Sequence, residues 1–280
     1  MRKTLHEPYE EEVTNRQSVE NPKSKIVNQK DFLFLQISSL PYFRGFLRAI
    51  ESSYYQDLPL PSPVYDVGCG DGHFASLTFD QKLDVGLDPW RFSMKEAKKY
   101  NAYESLVEAD GAQTPFPSNH FASGLSNSVL EHIPHIDAVL KETARVLKPD
   151  APFYFCVPNT RYFSALSLTK IFGKPYENWF RKISRVHHAD EPDVWEKRLN
   201  DAGFTLERWW HYFSPASMRV LEWGHYLGLP SLVAKALTGR WVISPTKWNL
   251  LLTEAYVKPY ASPEPVEDGT FTFYIARKRR

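Results

Sequence analysis

The sequence predicts an α/β fold in which a parallel sheet is covered by helices on both faces. Short apolar runs alternate with helical patterns from about residue 63 onward, and glycines cluster where the first apolar run gives way to a helix. Such alternation is typical of parallel sheets, which bind ligands at the carboxyl ends of their strands. The predicted strands lie near 63–67, 83–87, 104–107, 122–127 and 152–157, and the predicted helices near 73–79, 92–100, 136–147 and 190–202.

Ahead of the first strand, residues 1–30 are predicted to form a loose N-terminal arm, and residues 31–280 a single domain. The arm is polar and charged and shows almost no apolar periodicity. From Asp31 to about Ser53, apolar side chains recur at helical spacing, with an interruption at Pro41. We therefore expect an amphipathic helix that is broken near this proline.

Composition indicates a globular protein without a strong electrostatic preference. The 34 Lys and Arg residues balance 33 Asp and Glu residues to a net charge of +1, so no nucleic-acid partner is expected. The two cysteines, Cys69 and Cys156, indicate a reducing compartment and no disulfide framework. No apolar run approaches the roughly 20 residues that span a bilayer, and the residues near Met1 do not resemble a secretion signal. We expect a cytoplasmic location.

The stretch from Val64 to Leu77 is the most informative part of the chain. It places Asp66 ahead of Gly68, Gly70 and Gly72 in the pattern Asp-x-Gly-x-Gly-x-Gly. A dinucleotide site would normally have the spacing G-x-G-x-x-G, with a pyrophosphate on the helix N-terminus. A carboxylate beside the turn would repel a pyrophosphate but suits a ligand that carries an ammonium and a sulfonium. The turn is therefore predicted to bind a cationic ligand.

Two more acidic residues follow the next two strands. Asp88 lies 20 residues after Gly68, where a carboxylate can accept hydrogen bonds from both hydroxyls of a ribose. Asp110 precedes Gly111 and is placed to meet an adenine amino group. The glycine turn, a carboxylate for the ribose at Asp88 and a carboxylate for the adenine edge at Asp110 together indicate an adenosyl ligand without phosphates.

From Val64 to Phe155 the chain resembles the class I S-adenosylmethionine-dependent methyltransferases, in particular the small-molecule group. The likeness is an ordered series that consists of Val64 to Leu77, Val85-Gly-Leu-Asp88, Glu108-Ala-Asp110, Thr114-Pro-Phe-Pro117, Phe121 to His132 with Leu130-Glu-His-Ile133, and Arg145-Val-Leu-Lys-Pro149. Two departures occur. Ala122 stands where the family usually has Asp, and Asp150-Ala151 stand where it usually has Gly-Gly. Both put local turn geometry in doubt more than ligand binding.

The resemblance implies a doubly wound, mostly parallel seven-stranded sheet whose last strand is antiparallel. The strand-like stretches from Thr205 to Phe213 and from Thr270 to Ile275 would be its last two strands. The helix over 31–53 would cover the cofactor, although packing on the sheet edge is an equal alternative. The helical segments of about 158–189 and 214–262 are then insertions after the fifth and sixth strands, which topology places on the cofactor's rim.

The implied cofactor is S-adenosyl-L-methionine. Asn127 and Ser128, at the end of the fourth strand, would lie near its methionine portion, and Cys69 would contribute its backbone only. Pro89 and Trp90 follow the ribose acid, and Trp90 would pack beside the adenine or have a purely structural role. The predicted cofactor contacts are Asp66, Gly68, Cys69, Gly70, Gly72, Asp88, Pro89, Asp110, Gly111, Asn127 and Ser128.

Three histidines are candidates for catalysis, and no metal site is predicted. His132 falls where the family often has a histidine that faces the methyl group, with a capping or packing role as the alternative. His187 and His188 border the first insertion, and because adjacent side chains point in different directions, at most one of them is expected to act. Methyl transfer mainly requires alignment of the acceptor and exclusion of water, so a general base helps but need not dominate.

Aromatic residues are concentrated in the second half of the chain, where seven of the eight tryptophans follow Asn178. They suit a lid over an apolar substrate or a surface for peripheral membrane contact, while a small core for the insertions is the simpler interpretation.

The leading hypothesis is a methyltransferase that acts on a small or lipid-like acceptor. The alternatives are a nicotinamide-dependent oxidoreductase, which the glycine spacing disfavours, and a non-catalytic binding module, which would have no use for three carboxylates around one groove.

Overall fold

A seven-stranded sheet forms the centre of the computed structural model, which describes residues 30–280. The predicted arm over 1–30 lies outside the described residues except for Lys30. The strands are β1 (Val64–Val67), β2 (Leu83–Asp88), β3 (Tyr103–Glu108), β4 (Ser123–Asn127), β5 (Pro152–Pro158), β6 (Phe204–Tyr212) and β7 (Phe271–Lys278).

The strand order is β3-β2-β1-β4-β5-β7-β6, with β1 to β5 parallel and β7 antiparallel to both of its neighbours. This confirms the predicted sheet and its antiparallel last strand. β1 pairs with β2 on one side and with β4 on the other, so the strand order reverses at β1. Ligands of open α/β sheets bind in the crevice at such a switch point.

Twelve helices cover the sheet within residues 30–280. They are α1 (Phe32–Ile37), α2 (Tyr42–Tyr55), α3 (His73–Thr78), α4 (Arg91–Tyr100), α5 (Ile136–Val146), α6 (Arg161–Ser164), α7 (Thr169–Phe172), α8 (Lys174–Ser184), α9 (Pro192–Ala202), α10 (Pro215–Leu227), α11 (Leu229–Thr238) and α12 (Lys247–Val257). The predicted break near Pro41 is confirmed, since this proline precedes the first residue of α2 and has the extended backbone that ends one helix and begins the next.

Two hydrophobic clusters occupy the two faces of the sheet. One contains Phe46 and Ile50 of α2, Leu221 of α10 and Leu250 of α12. The other contains Leu140 of α5 and Trp195 of α9. Trp195 is therefore a residue of the sheet's own core and lies outside both insertions.

The insertions lie where topology predicts them. Helices α6 to α8 follow β5, and α10 to α12 follow β6, so both insertions leave the sheet at the carboxyl ends of parallel strands. They consequently stand on the same rim as the turn after β1. In the described part of the chain, no helix combines the length and the hydropathy that crossing a bilayer requires.

Candidate active site

A cavity of about 1270 Å³ lies at the carboxyl ends of the central strands. The turn after β1 and the ends of β2 and β3 form one end of it. Helix α2, the segment after β4, α8 and α10 form the rest. The lining includes Phe43, Arg44, Leu47, Arg48, Gly68, Gly70, Asp88, Pro89, Trp90, Asp110, Gly111, Ser128, Val129, Glu131, His132, Tyr162, Arg181, Lys182, Arg185, His187, Leu221 and His225.

The glycine turn is shaped so that a ligand can approach its backbone. The amides of Gly68 and Cys69 both donate to the carbonyl of Leu87, at 2.8 and 3.0 Å, which closes the turn against β2. Gly68 has a φ of +79°, and a Cβ there would meet Val129 Cγ1 at 2.3 Å. Gly70 has a φ of +56°, but a Cβ at this position would meet nothing within 4 Å. Because Gly70 lines the cavity, that open space is available to a ligand.

Asp88 is held rigidly at the edge of this turn. Its Oδ2 accepts from the Gly70 amide at 3.1 Å and its Oδ1 from the Trp90 amide at 2.8 Å. Each carboxylate oxygen keeps a second lone pair, and the side chain lines the cavity. Partial burial raises the pKa of this carboxyl, although the hydrogen bonds from the two amides act to lower it. The arrangement fits two ribose hydroxyls that donate to one carboxylate.

Asp110, Gly111 and Pro89 complete this end of the cavity, as predicted from the sequence. Asp110 Oδ1 accepts from the Ala112 amide at 2.9 Å, which fixes the side chain at the end of β3. Trp90 is 63 % exposed and also lines the cavity, next to Ser93. An apolar ring and a fixed carboxylate thus border the place predicted for a purine base.

Four of the predicted cofactor residues do not line the cavity. Asp66 is 4 % exposed, and its Oδ2 accepts from the Tyr103 hydroxyl at 2.6 Å beneath the turn. Burial raises the pKa of Asp66 to about 7. Cys69 is buried against Met94, and Gly72 begins α3, where a Cβ would crowd Ala97. These residues shape the turn from below, and direct contact of Asp66 with a cationic ligand stays a prediction.

Asn127, the fourth of these residues, belongs to a buried network centred on Glu51. Glu51 is fully buried and accepts from Arg48 at 2.8 Å, Asn127 at 3.0 Å, Ser128 at 2.8 Å and Tyr212 at 3.2 Å. A buried carboxylate is tolerated when it is paired and hydrogen-bonded in this way. The network joins α2 to the end of β4 and orients Arg48 and Ser128, both of which line the cavity. Helix α2 therefore forms a wall of the cavity, which was one of its two predicted positions.

Glu131 is a functional candidate that the sequence analysis did not single out, although it quoted the motif that contains it. The side chain is 3 % exposed, lines the cavity, and leaves its Oε2 without a hydrogen-bond partner among the described residues. Burial raises the pKa of this carboxyl to about 8. A carboxyl with such a pKa can hold or accept a proton near neutral pH.

The three predicted histidines have different surroundings. His132 lines the cavity, has its Nδ1 3.0 Å from the Arg185 carbonyl, and has its pKa lowered by burial. His187 also lines the cavity. His188 instead has its Nε2 3.0 Å from the Ile133 carbonyl and its Nδ1 3.3 Å from Arg198. The adjacent histidines do point in different directions, and only His187 of the two reaches the cavity wall.

Three cationic side chains from one short segment also line the cavity. Arg181 and Lys182 belong to the last turn of α8, and Arg185 directly follows that helix. Arg181 stacks 3.9 Å from the Phe163 ring centroid and lies 3.7 Å from Glu177. No carboxylate of residues 30–280 comes within ion-pair distance of Lys182 or Arg185, which leaves both charges available. The amides of His187 and His188 donate to the Glu131 carbonyl, so this segment is tied to the end of β4.

The donor set fits an organic cofactor. Among the residues that the structure describes, no three His, Cys, Asp or Glu side chains converge to hold a metal ion. The glycine turn and the two fixed carboxylates match the adenosine part of S-adenosylmethionine, and Arg48 beside Ser128 offers a cation for its carboxylate.

Comparison with known proteins agrees with this site. Residues 65–155 match the family model described as a methyltransferase domain. A sterol 24-C-methyltransferase of Pneumocystis carinii is 26 % identical over 200 residues, which cover 65 % of this chain and 52 % of that protein. A ubiquinone/menaquinone biosynthesis C-methyltransferase of Brucella canis is 37 % identical over 107 residues, which cover 37 % of this chain and 38 % of that protein. The chain thus spans about half or less of these relatives.

Solved structures share the fold. The cyclase SpnF has a TM-score of 0.55 at 16 % identity, covering 84 % of this chain and 81 % of that one. A SAM-dependent methyltransferase from Thermotoga maritima has a TM-score of 0.52 at 14 % identity, covering 89 % and 93 %. These identities establish the fold alone, and since one neighbour is a cyclase, the chemistry of this chain has to be argued from its site.

Proposed function

We propose that this chain, a class I S-adenosylmethionine-dependent methyltransferase by its domain over residues 65–155, methylates a small, lipid-like acceptor that carries an anionic group. The observation that carries the proposal is a single cavity lined both by Asp88 with the glycine turn and by the cationic side chains of Arg181, Lys182 and Arg185. When bound, S-adenosylmethionine supplies a methyl group that is activated for transfer by its sulfonium sulfur. The protein's own residues bind, orient and shield the reactants.

Asp88, Asp110 and the Gly70 backbone are proposed to hold the adenosine, and Arg48 and Ser128 the amino-acid part. Glu51 fixes the last two side chains in place, because it accepts from both. Preorganisation of this kind accounts for several kcal/mol of a displacement barrier without any covalent intermediate. Helices α2, α8 and α10 contribute walls of the cavity and are proposed to shield the reactants from bulk water.

The acceptor class follows from the other walls. Leu47, Val129, Ile183 and Leu221 give the cavity apolar surface, while Lys182 and Arg185 present charges without a protein counter-ion among residues 30–280. An amphiphile with an anionic group satisfies both kinds of wall. Substitution of Lys182 by Ala is expected to raise KM for such an acceptor while kcat changes little.

Glu131 is proposed to accept the proton that the acceptor releases, at its unpartnered Oε2. Because burial raises its pKa to about 8, the ionised form increases as the pH rises toward that value. We therefore expect the rate to rise between about pH 6 and pH 8 and then to level off. His187 is the alternative proton acceptor on the same wall.

The proposal is tested by incubating the protein with S-adenosylmethionine that carries an isotope-labelled methyl group and with a lipid extract. Mass spectrometry should reveal a product that is heavier by one labelled methyl, formed by the native chain and much more slowly by Glu131→Gln. A labelled product in equal amount from Asp88→Ala, or no labelled product from any extract, would contradict the proposal.

A further inference from the structure

The second insertion exposes more large apolar side chains than any other part of the described chain. We call this surface the outer face. Its members are Trp223, Leu227, Leu232, Val233, Leu237, Ile243, Trp248, Leu251, Leu252 and Tyr256. Single exposed apolar residues are ordinary, whereas so many in one insertion mark a surface that meets another apolar phase.

Helix α12 shows that the exposure is patterned. Trp248, Leu251, Leu252 and Tyr256 follow the spacing i, i+3, i+4 and i+8, and they are 86, 55, 82 and 48 % exposed. This spacing places all four on one side of the helix. Leu250 and Val257 form the side of α12 that packs against the core. Leu250 is 6 % exposed and Val257 is fully buried. The protein's own core therefore does not account for the outward stripe.

Helix α11 of the same insertion exposes further apolar side chains. Leu232, Val233 and Leu237 are 57, 57 and 80 % exposed. From Pro230 to Thr238, every side chain of α11 is exposed or half-buried. A helix of ten residues that buries so little would be marginal in water without something to cover it.

Most of the charged residues in the segment that carries the outer face are cationic. Between residues 227 and 258 the cations are Lys235, Arg240, Lys247 and Lys258, and Glu254 is the only acidic residue. Lys235 lies 5.8 Å from the Trp241 ring and Lys247 lies 5.5 Å from the Phe34 ring, so their stems run along apolar surface. Helical leucines and tryptophans flanked by Lys and Arg are the signature of a segment that lies in the headgroup region of a bilayer.

We propose that the outer face docks on the surface of an anionic lipid membrane. A second copy of the chain is a poorer occupant, because a two-fold contact would place the same cations opposite one another. Anionic headgroups, in contrast, neutralise all four. The proposal is independent of the chemistry in the cavity. Docking would place the cavity next to the membrane, because α10 contributes to both surfaces. Its Leu221 and His225 line the cavity, and its Trp223 and Leu227 belong to the outer face.

The test is co-sedimentation of the full chain with vesicles of phosphatidylcholine, with and without phosphatidylserine. Binding is expected only when phosphatidylserine is present, and it should weaken as salt is added. The double substitution Trp248→Ser and Leu252→Ser, and separately Arg240→Glu, should each weaken binding about tenfold or more.

The matched controls lie on the opposite face of the sheet. Val194→Ser on α9 removes a half-exposed apolar side chain, and Lys141→Glu on α5 makes the same charge reversal as Arg240→Glu. Both should bind as the native chain does, and light scattering should find the native chain monomeric without vesicles. Absence of binding, equal weakening by the controls, or a dimer that the double substitution dissociates would overturn the proposal. Because no step requires methyl transfer, failure here leaves the proposed activity untouched.

Discussion

Replacing Glu131 by Gln should make the protein markedly more stable at high pH than the native chain. The native carboxyl is buried with one oxygen unpartnered, and its ordinary pKa of 4.5 is raised to about 8. Between these two values the folded state keeps a proton that the unfolded state releases. The native chain therefore loses stability as the pH rises from about 4.5 to about 8, whereas Gln does not titrate.

The size of the effect follows from the pKa difference. From pH 5 to the folded pKa of about 8 is a span of about 3 pH units, which at 1.36 kcal/mol per unit corresponds to about 4 kcal/mol. Water that enters the adjoining cavity will solvate the charged form in part, so we expect about 2–4 kcal/mol. For a domain of this size that is a difference of roughly 5–15 °C in Tm.

Thermal unfolding of both proteins at pH 5 and pH 9, without cofactor, measures this directly. The native Tm should fall more than the Tm of Glu131→Gln, and any fixed cost of the buried amide cancels in the comparison between the two pH values. Asp66 also titrates in this range, but it is the same in both proteins. Parallel pH dependence in the two proteins would refute the burial of an ionisable, unpaired carboxyl at this position.

Further substitutions test other parts of the site. Asp88→Ala removes a charge-assisted acceptor and should weaken binding of S-adenosylhomocysteine by about 1–3 kcal/mol in a calorimetric titration. Gly70→Ala should cost about 1–2 kcal/mol of stability for its positive φ yet abolish ligand binding, because its Cβ enters the cavity. Gly68→Ala should unfold more easily, because its Cβ clashes with the Val129 side chain after β4. His187→Ala should slow methyl transfer at unchanged Tm, and His188→Ala should lower Tm with little effect on the rate; the reverse pattern would exchange their roles.

Features that depend on local sequence were predicted well. The alternation of apolar runs and helical patterns indicated a parallel sheet, and the glycine turn located the site at the end of β1. Asp88 and Asp110 line the cavity because a residue at or just after the end of a parallel strand lies at the carboxyl edge of the sheet, and their contact with a cofactor stays a prediction.

Features that depend on long-range packing were not predicted from the sequence. Asp66 belongs to a strand whose side chains alternate between faces, and its partner Tyr103 is 37 residues away. From the sequence, Glu51 is indistinguishable from a surface residue of α2. Three of its four hydrogen-bond donors, Asn127, Ser128 and Tyr212, lie more than 70 residues away in the sequence. Arg181, Lys182 and Arg185 have ordinary spacing along the sequence, and only the fold brings them to the cavity that Asp88 also lines.

Titration of the purified chain with S-adenosylhomocysteine, and in parallel with NADPH, tests the central claim most directly. We expect saturable binding of S-adenosylhomocysteine at one site per chain, weakened in Asp88→Ala at a similar Tm, and no heat from NADPH. Binding of NADPH alone, or of neither ligand by a folded protein, would contradict it.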